Sequence, residues 1–425
     1  MRNLIRLKTP FRSEMSATTR DFIERKFLAY YSECFQQVDI PSSPARREFA
    51  ALLFRNKAMV RHRSFLNAED LKDFLCTDVP SDVYYSSARY EQPDASEMSA
   101  KCWIGADLIF DIDADHIPTS CDKIHDEWIC LNCGFKGKGE VPERCPGCGK
   151  EKFENNTWPC EDCLNSAKNE TIKLLAILKR DFGFSEEDIH VFFSGHRGYH
   201  VHIENRSIET LDTMDRKEIV DYVCGLGFDQ ELHGFGEDKI MNPDLNAVGW
   251  QGRIAQGIYE VVSHAELSDY QRMGLNKSVS QAVAKNKESI LKNFRESKPW
   301  TTLKGLGPQT FRKLVEHARH SQSAKVDTVV TTDIHRLIRM SGTLHGKTGL
   351  KKVEFPISAI NNFDPFKNAI AFGKDRVSVL VSDAPQFRLG DEEFGPYRNE
   401  KVVLPTAAAL LLVCKKRAEV IERHE

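Results

Sequence analysis

Two aspartates stand close together in the segment ADLIFDIDAD, which has the composition of a β-strand. Because side chains alternate along a strand, Asp111 and Asp113 lie on the same face, about 7 Å apart. Two carboxylates at that separation repel each other unless a cation lies between them, and Mg²⁺ or Mn²⁺ is the common solution. The pair therefore predicts a divalent-metal site, with a solvated strand end as the alternative.

A glycine-rich turn joins two further strand-like segments in VFFSGHRGYHVHIE. This pattern predicts a β-hairpin whose tip carries Ser194 and Arg197, with His200 on the strand that follows. The glycines let a ligand approach the backbone closely, and a hydroxyl, a guanidinium and an imidazole together suit phosphate oxygens. An ordinary glycine turn with surface charge is the alternative.

A basic segment, VDTVVTTDIHRLIRMSGTLHGKTGL, lies later in the chain. It predicts a short helix, capped by Asp333 or by a threonine before it, whose apolar residues pack inward while Arg339 is more exposed. Arg339, His345 and Lys347 would then form a second phosphate-binding edge. The alternative is a helix with a solvated basic face, followed by a glycine turn.

Six of the twelve cysteines form three Cys-x-x-Cys pairs in one short part of the chain. The first two pairs have the spacing of a zinc ribbon, in which two knuckles supply four thiolates to a structural Zn²⁺. These ribbon ligands are Cys130, Cys133, Cys145 and Cys148. The third pair, Cys160 and Cys163, supplies half of a second zinc site, which Cys121 with His125 or His116 would complete.

The elements that must position these motifs are short strands and amphipathic helices. A helix is predicted from Thr18 to Glu33, with Ser16 or Thr18 as its N-cap. The first two motifs lie on strand-like segments, and DTVVTT, TGLKKVEFPI and SVLVSD are strand-like as well. Longer amphipathic patterns between Leu211 and His320 predict a helical subdomain, and TAAALLLVCKKRAEVIERHE predicts a final helix.

This order of elements predicts an α+β fold, a catalytic core of mixed β-sheets with helices that is interrupted by a zinc module and a helical subdomain. Residues 1–15 are expected to form a disordered extension, unless Met15 is the true start of the protein. The predicted parts are 16–115 for the first part of the core, 116–165 for the zinc module with its ribbon, 166–210 for the second part of the core, 211–320 for the helical subdomain and 321–425 for the third part with the C-terminal helix.

Composition narrows the class of protein. The 425 residues are 41% hydrophobic and 28% charged, which is typical of a globular chain with a substantial core. A formal net charge of −3 argues against a protein that coats nucleic acid by bulk electrostatics, although a local basic groove is compatible with it. No apolar run is long enough for a membrane helix and no secretory signal is visible, so the protein is expected to stay in the cytoplasm.

The motifs FDIDAD, SGHRGYHVH and TTDIHRLIRMSGTLHGKTGL, in that order and with a zinc module after the first, resemble the small catalytic subunit of the archaeal and eukaryotic replicative primase. The resemblance spans roughly Ser16 to the C-terminal helix. It implies that Asp111 and Asp113 bind the catalytic metals with Asp327 as the third acid, for which Asp333 is the competing candidate. The residues implied to hold the nucleotide's phosphates are Ser194, Arg197, His200, Arg339, His345 and, as a weaker match, Arg47. The implied zinc knuckle is Cys121, His125, Cys160 and Cys163, split here by the ribbon.

The resemblance further implies a mechanism and partners. Two divalent ions would activate a 3′-hydroxyl and stabilise the pyrophosphate leaving group during DNA-templated synthesis of short primers from nucleoside triphosphates. The implied partners are a single-stranded DNA template and an iron–sulfur large subunit in a heterodimer, with a location at the nucleoid in an archaeon. Two alternatives stay open, a repair-type primase-polymerase that extends existing ends and a non-catalytic zinc-dependent nucleic-acid-binding module.

Overall fold

The computed structural model describes residues 15–54, 58–233, 244–298, 307–373 and 375–421. The chain divides into two compact units. The first comprises Met1–Lys168, Ile189–Thr213 and Val329–Glu425, and the second comprises Asn169–Asp188 and Met214–Thr328. Except for Met15, the extension predicted for residues 1–15 lies outside the described residues.

The helices of the described ranges are α1 (Ala17–Glu33), α2 (Ala68–Asp78), α3 (Glu161–Arg180), α4 (Thr213–Cys224), α5 (Gly249–His264), α6 (Leu267–Arg272), α7 (Lys277–Lys285), α8 (Lys287–Arg295), α9 (Pro308–Gln322), α10 (Thr328–Thr332), α11 (Pro365–Asn368) and α12 (Thr406–Cys414). Helix α1 begins where the sequence predicts it. The Ser16 hydroxyl oxygen accepts a hydrogen bond from the backbone N–H of Thr19 at 3.2 Å, so Ser16 is the N-cap.

The strands of the described ranges are β1 (Phe49–Leu53), β2 (Met59–Arg63), β3 (Pro80–Ser86), β4 (Ala88–Tyr90), β5 (Trp103–Ala106), β6 (Leu108–Asp113), β7 (Glu127–Cys130), β8 (Lys136–Lys138), β9 (Phe153–Asn156), β10 (Ile189–Phe193), β11 (Gly198–Ile203), β12 (Leu337–Arg339), β13 (Val353–Phe355), β14 (Arg376–Ala384), β15 (Phe387–Leu389), β16 (Glu392–Phe394), β17 (Tyr397–Pro405) and β18 (Ala418–Val420). Helices and antiparallel sheets are thus mixed along the chain, and the predicted α+β class is confirmed.

Two four-stranded antiparallel sheets organise the first unit. Their strand orders are β12-β3-β1-β2 and β13-β10-β11-β6. In the second sheet β10 and β11 form the predicted hairpin, and β11 pairs with β6. Because the alternating residues Leu108, Phe110 and Ile112 of β6 are fully buried, the opposite face of that strand is left to carry Asp111 and Asp113.

The second unit is built from helices and has an apolar core of its own. Trp250, Ile254 and Ile258 of α5 pack with Phe311 and Leu314 of α9 in that core. The helical subdomain predicted for residues 211–320 falls almost wholly within this unit. The unit also includes residues 169–188, most of them from α3, which the sequence analysis places in the catalytic core.

The third motif is not helical where the sequence predicts a helix after Asp333. The chain there forms β12, in which Leu337 lies opposite Ser86 and Arg339 lies opposite Tyr84 of β3. Arg339 is buried, so the prediction that it is exposed is wrong as well. The apolar spacing of this segment suits a helix, but pairing with a distant strand outweighs that local preference.

Two other local predictions are wrong. The strand-like segment DTVVTT forms α10, whose residues Val330 and Thr331 are buried, so packing outweighs the β preference of its branched side chains. The C-terminal helix ends at Cys414, and Lys416 with a φ of 55° turns the chain into β18. Strand β18 then pairs with β14, a contact that the amphipathic pattern alone does not reveal.

Candidate active site and zinc centres

The two aspartates of the first motif lie at the end of β6 beside the hairpin of the second motif. In the strand register His200 is opposite Asp111 and Gly198 is opposite Asp113. The Nε2 atom of His200 is 3.6 Å from Oδ1 of Asp111. Both carboxylates are partly exposed, with side-chain exposures of 23% for Asp111 and 34% for Asp113, so a bound ion can reach them.

The surroundings of Asp113 disfavour its charged form. Burial raises the pKa of Asp113, and the nearby guanidinium of Arg197 only partly offsets that effect. A divalent ion bound at this carboxylate would favour its charged form. The Asp113 Oδ1 atom also accepts a hydrogen bond of 2.9 Å from the backbone N–H of Asp115, which fixes its orientation.

Close approach of β11 to β6 depends on Gly198. A Cβ atom at that position would lie 2.5 Å from the carbonyl oxygen of Ile112 and 3.1 Å from the Cα atom of Asp113. Any larger residue would therefore push the two strands apart. The sequence motif needs glycine here because the backbone of β6 lies directly against it.

The hairpin turn brings the second and third motifs together. The Ser194 hydroxyl oxygen accepts hydrogen bonds from the backbone N–H groups of Gly198 at 3.2 Å and of His196 at 3.4 Å, and these bonds shape the turn. Thr348 Oγ1 donates to the carbonyl oxygen of Gly195 at 2.6 Å, and the rings of His196 and His345 are 5.2 Å apart. The turn that holds Ser194 therefore lies against the segment that carries His345.

Asp82 of β3 orders the third motif. Its Oδ1 atom accepts a hydrogen bond from Arg339 Nη1 at 2.5 Å and from the backbone N–H of Gly346 at 3.0 Å. The Nδ1 atom of His345 accepts the backbone N–H of Lys347 at 3.1 Å. A neutral His345 ring therefore carries its proton on Nε2, from which it can donate to an anion.

The imidazoles of the site are held neutral. Burial lowers the pKa of His200 well below its ordinary value, and the neighbouring cations Lys352 and Arg339 lower it further. Burial and Arg339 have the same effect on the pKa of His345. The buried Nδ1 atom of His200 has no hydrogen-bond partner among the described residues. Basic side chains and neutral imidazoles therefore lie close to one another beside Asp111.

Arg197 is buried and is shared among three carboxylates. Its Nη1 atom donates to both oxygens of Asp126, at 3.0 and 2.8 Å, and its Nη2 atom donates to Asp115. Its Nε atom lies 4.0 Å from Oδ1 of Asp113 and has no hydrogen-bond partner in the described part of the chain. The structure therefore places Arg197 beside Asp113, and two of its three nitrogens already donate to other carboxylates.

Two candidate site residues, Arg47 and Asp333, have partners outside this cluster. Arg47 is fully buried, and its Nη2 atom forms an ion pair of 2.7 Å with Oδ2 of Asp107. Asp327 belongs to the second compact unit and directly precedes α10. The Oδ1 atom of Asp333, its competitor, accepts the backbone N–H of His335 at 2.9 Å within its own turn. The roles implied for Arg47 and Asp327 stay predictions.

The zinc ribbon forms a three-stranded sheet in the order β8-β7-β9. The sulfur atoms of Cys130 and Cys148 are 3.6 Å apart, as are those of Cys133 and Cys145. All four ligand atoms lie within 4.8 Å of one another. Four thiol groups gathered in this way fit a tetrahedral Zn²⁺.

The second cluster comprises Cys121, His125, Cys160 and Cys163, so His125 rather than His116 completes it. The His125 Nε2 atom is 3.0 Å from the sulfur of Cys160 and 3.3 Å from that of Cys121. Hydrogen bonds from Cys163 and His125 lower the pKa of Cys160 to about 4, which favours the thiolate that zinc requires. Within the described ranges, only this cluster and the ribbon bring three or more His, Cys, Asp or Glu ligand atoms within 4.8 Å.

Comparisons with known proteins agree with this site. A family model described as DNA primase small subunit matches residues 149–357. The protein named DNA primase small subunit PriS from Nitrosopumilus maritimus is 34% identical over 409 residues, which cover 96% of this chain and 100% of that protein. The chain belongs to the DNA primase small subunit family.

Other archaeal members of the family match over similar lengths. PriS of Methanothrix thermoacetophila is 33% identical, covering 96% of this chain and 100% of that protein. PriS of Cenarchaeum symbiosum is 32% identical, covering 92% of this chain and 96% of that protein. The predicted role as the catalytic subunit of a primase, a nucleotidyltransferase of DNA replication, is confirmed at this level. None of the described helices combines the length and the apolar character that a bilayer span needs.

The sequence analysis missed several residues that hold the site of this primase subunit. Asp126, Asp115 and Asp82 fix Arg197 or Arg339, and Lys415 donates to the carbonyl oxygen of Thr157 beside His196. A signal existed for Asp126, because an acid directly after a predicted zinc-binding histidine can hold its ring. Asp82 lies far from the motifs in sequence, and no local pattern points to it.

Proposed function

We propose that this primase subunit synthesises short primers from nucleoside triphosphates on a single-stranded DNA template, by nucleotidyl transfer at Asp111 and Asp113. The register that places these aspartates beside His200 and the hairpin turn carries the proposal, since metal ligands and an anion site then lie next to each other. The archaeal relatives, which are named as primase small subunits, support the same reaction.

Asp111 and Asp113 are the proposed ligands of Mg²⁺ or Mn²⁺, with Asp327 as the third acid. Their carboxylates share one strand face and are partly exposed, so a divalent ion can reach them. Divalent ions bound there would lower the pKa of the attacking 3′-hydroxyl and neutralise the charge that develops on the leaving pyrophosphate.

The chain's own residues would bind and orient the triphosphate. His345 can donate from Nε2, and His200 offers a buried Nδ1 that lacks a partner among the described residues. Arg339 is fixed by Asp82 and adds positive charge to the same site. Because the imidazoles are neutral without a ligand, phosphate binding would favour their protonated forms and draw protons into the site.

The zinc centres and the partner complete the proposal. Both cysteine clusters are assigned to structural Zn²⁺, because closed four-ligand sites of this kind stabilise the segments that they join. The relatives are named small subunits, which supports a heterodimer with a large subunit; the iron–sulfur cluster of that partner is proposed from the family resemblance alone. The proposed location is the cytoplasm, at the nucleoid.

The test is template-directed synthesis with and without a pre-annealed primer, supplied with nucleoside triphosphates and Mg²⁺ or Mn²⁺. Primase activity predicts products from nucleotides alone. Products that form only from a primer would favour the repair-type primase-polymerase, and no products in either reaction would favour the non-catalytic zinc module. The matched control for losses of activity is Asp73→Asn on α2, an exposed carboxylate outside the site.

A further inference from the structure

Asp126 lies between the second zinc cluster and the active site. It is 2% exposed and occupies the position between His125 and the first residue of β7. Its Oδ1 atom accepts hydrogen bonds from the ring of His125 at 2.9 Å and from the backbone N–H of Trp158 at 2.8 Å. The same carboxylate accepts Arg197 Nη1 on both oxygens, at 3.0 and 2.8 Å.

On the zinc side, Asp126 fixes the ligand ring. The Nε2 atom of His125 faces the sulfur atoms of Cys160 and Cys121, so its Nδ1 atom must carry the proton that it donates to Asp126. A carboxylate behind a histidine ligand sets the tautomer and the ring orientation, and it makes the other nitrogen a stronger ligand. Loss of such a partner typically weakens metal binding about 10- to 100-fold.

On the catalytic side, Asp126 and Asp115 hold Arg197 beside Asp113. Arg197 Nε is 4.0 Å from Oδ1 of Asp113, too far for a hydrogen bond, while Nη1 is held by Asp126. Without the Asp126 charge, a small movement of the buried guanidinium would give a direct ion pair with Asp113. That ion pair would compete with the divalent cation for the same carboxylate.

We propose that Asp126 is a positioning residue that couples the zinc centre of Cys121, His125, Cys160 and Cys163 to the metal-binding Asp113 through Arg197. The coupling rests on contacts within the first compact unit, and its effect on catalysis rests on the proposed function. Two consequences follow. Substitution of Asp126 both weakens zinc binding and raises the Mg²⁺ or Mn²⁺ concentration needed for activity. Substitution of Arg197 weakens zinc binding at a centre that Arg197 does not contact.

The experiment measures zinc transfer to a colorimetric chelator from the full chain of wild type, Asp126→Asn and Arg197→Lys. The control is Glu127→Gln, the same chemical change one residue along, where Oε1 accepts Arg417 Nη1 instead. Release from the ribbon is identified by comparison with Cys145→Ser. We expect Asp126→Asn to weaken zinc binding at the second cluster about 10- to 100-fold and Arg197→Lys to weaken it measurably, with ribbon release unchanged.

The catalytic arm measures incorporation against Mg²⁺ or Mn²⁺ concentration. Asp126→Asn should raise the metal concentration for half-maximal rate, with activity largely restored at saturating metal, whereas a general loss of structure would not be rescued by metal. The coupling is overturned if Asp126→Asn weakens zinc binding while Arg197→Lys binds zinc like wild type. It is also overturned if Asp126→Asn needs no more Mg²⁺ or Mn²⁺ than wild type. If Asp126→Asn does not fold, Arg197→Lys alone decides between the outcomes. Zinc transfer needs no synthesis, so it tests the coupling even where the proposed function fails.

Discussion

Gly198→Ala should damage catalysis more than it damages the fold. The added Cβ atom would meet the carbonyl oxygen of Ile112 at 2.5 Å, whereas an ordinary contact begins at 3.4 Å, so β11 and β6 must separate by about 0.9 Å to relieve the contact fully. Overpacking of this kind costs about 1 to 3 kcal/mol of stability. Because the displaced segment carries Asp113, a shift that approaches 1 Å should also lower the incorporation rate by about 10²-fold.

The matched control for this prediction is Gly105→Ala on β5. Its Cβ atom would meet the carbonyl oxygen of Glu209 at 2.9 Å, so it also strains a backbone contact of the first unit, but away from the aspartates. Thermal unfolding and single-turnover incorporation are measured for both variants at saturating nucleotide and metal. The reasoning is refuted if both variants lose the same stability and the same activity, or if Gly198→Ala keeps the wild-type rate.

Four changes should separate the remaining parts of the site. Cys145→Ser should release about one zinc and leave the core folded, whereas Cys160→Ser should disturb the core beside the aspartates. Metal content by mass spectrometry and primer synthesis check this prediction. It is contradicted if Cys145→Ser abolishes synthesis as completely as Asp111→Asn does. His345→Ala should mainly raise the KM for nucleotide, because its phosphate partner is present in the ground state, and a lowered kcat with unchanged KM would contradict that role. Since burial raises the pKa of Asp113, protons should displace the divalent ion as the pH falls, and a tenfold increase in metal should move the acid limb of the rate profile down by up to about one pH unit. If the acid limb does not move with metal concentration, Asp113 is excluded as the group whose protonation lowers the rate.

The sequence predicts those parts of the site that follow from local geometry. Alternation along β6 puts Asp111 and Asp113 on one face, and the glycines around Arg197 predict the hairpin, because both depend on neighbouring residues only. The spacing of the ribbon cysteines likewise predicts the four-thiol cluster that the structure shows. Each of these inferences needs no knowledge of a distant segment.

The remaining features depend on contacts between distant segments. Arg339 lies on a strand rather than a helix because β3, more than two hundred residues earlier, is there to pair with it. The guanidinium of Arg197, which the sequence assigns to phosphate, donates hydrogen bonds to Asp126 and Asp115. Arg47 is paired with Asp107 in the interior. A residue's type indicates which partners it can bind, but the fold decides which of them is near.

Asp111→Asn gives the most direct test of the central claim that the carboxylates of β6 hold the catalytic metal. Primer synthesis from nucleoside triphosphates and the unfolding temperature are measured in parallel for wild type, Asp111→Asn, Asp113→Asn and the control Asp73→Asn. Because each substitution at β6 removes a metal ligand from a partly exposed face with little change in volume, synthesis should be abolished while the unfolding temperature stays close to that of wild type. Retained synthesis in either β6 variant, or a loss of stability comparable to that of a core substitution, would contradict the account.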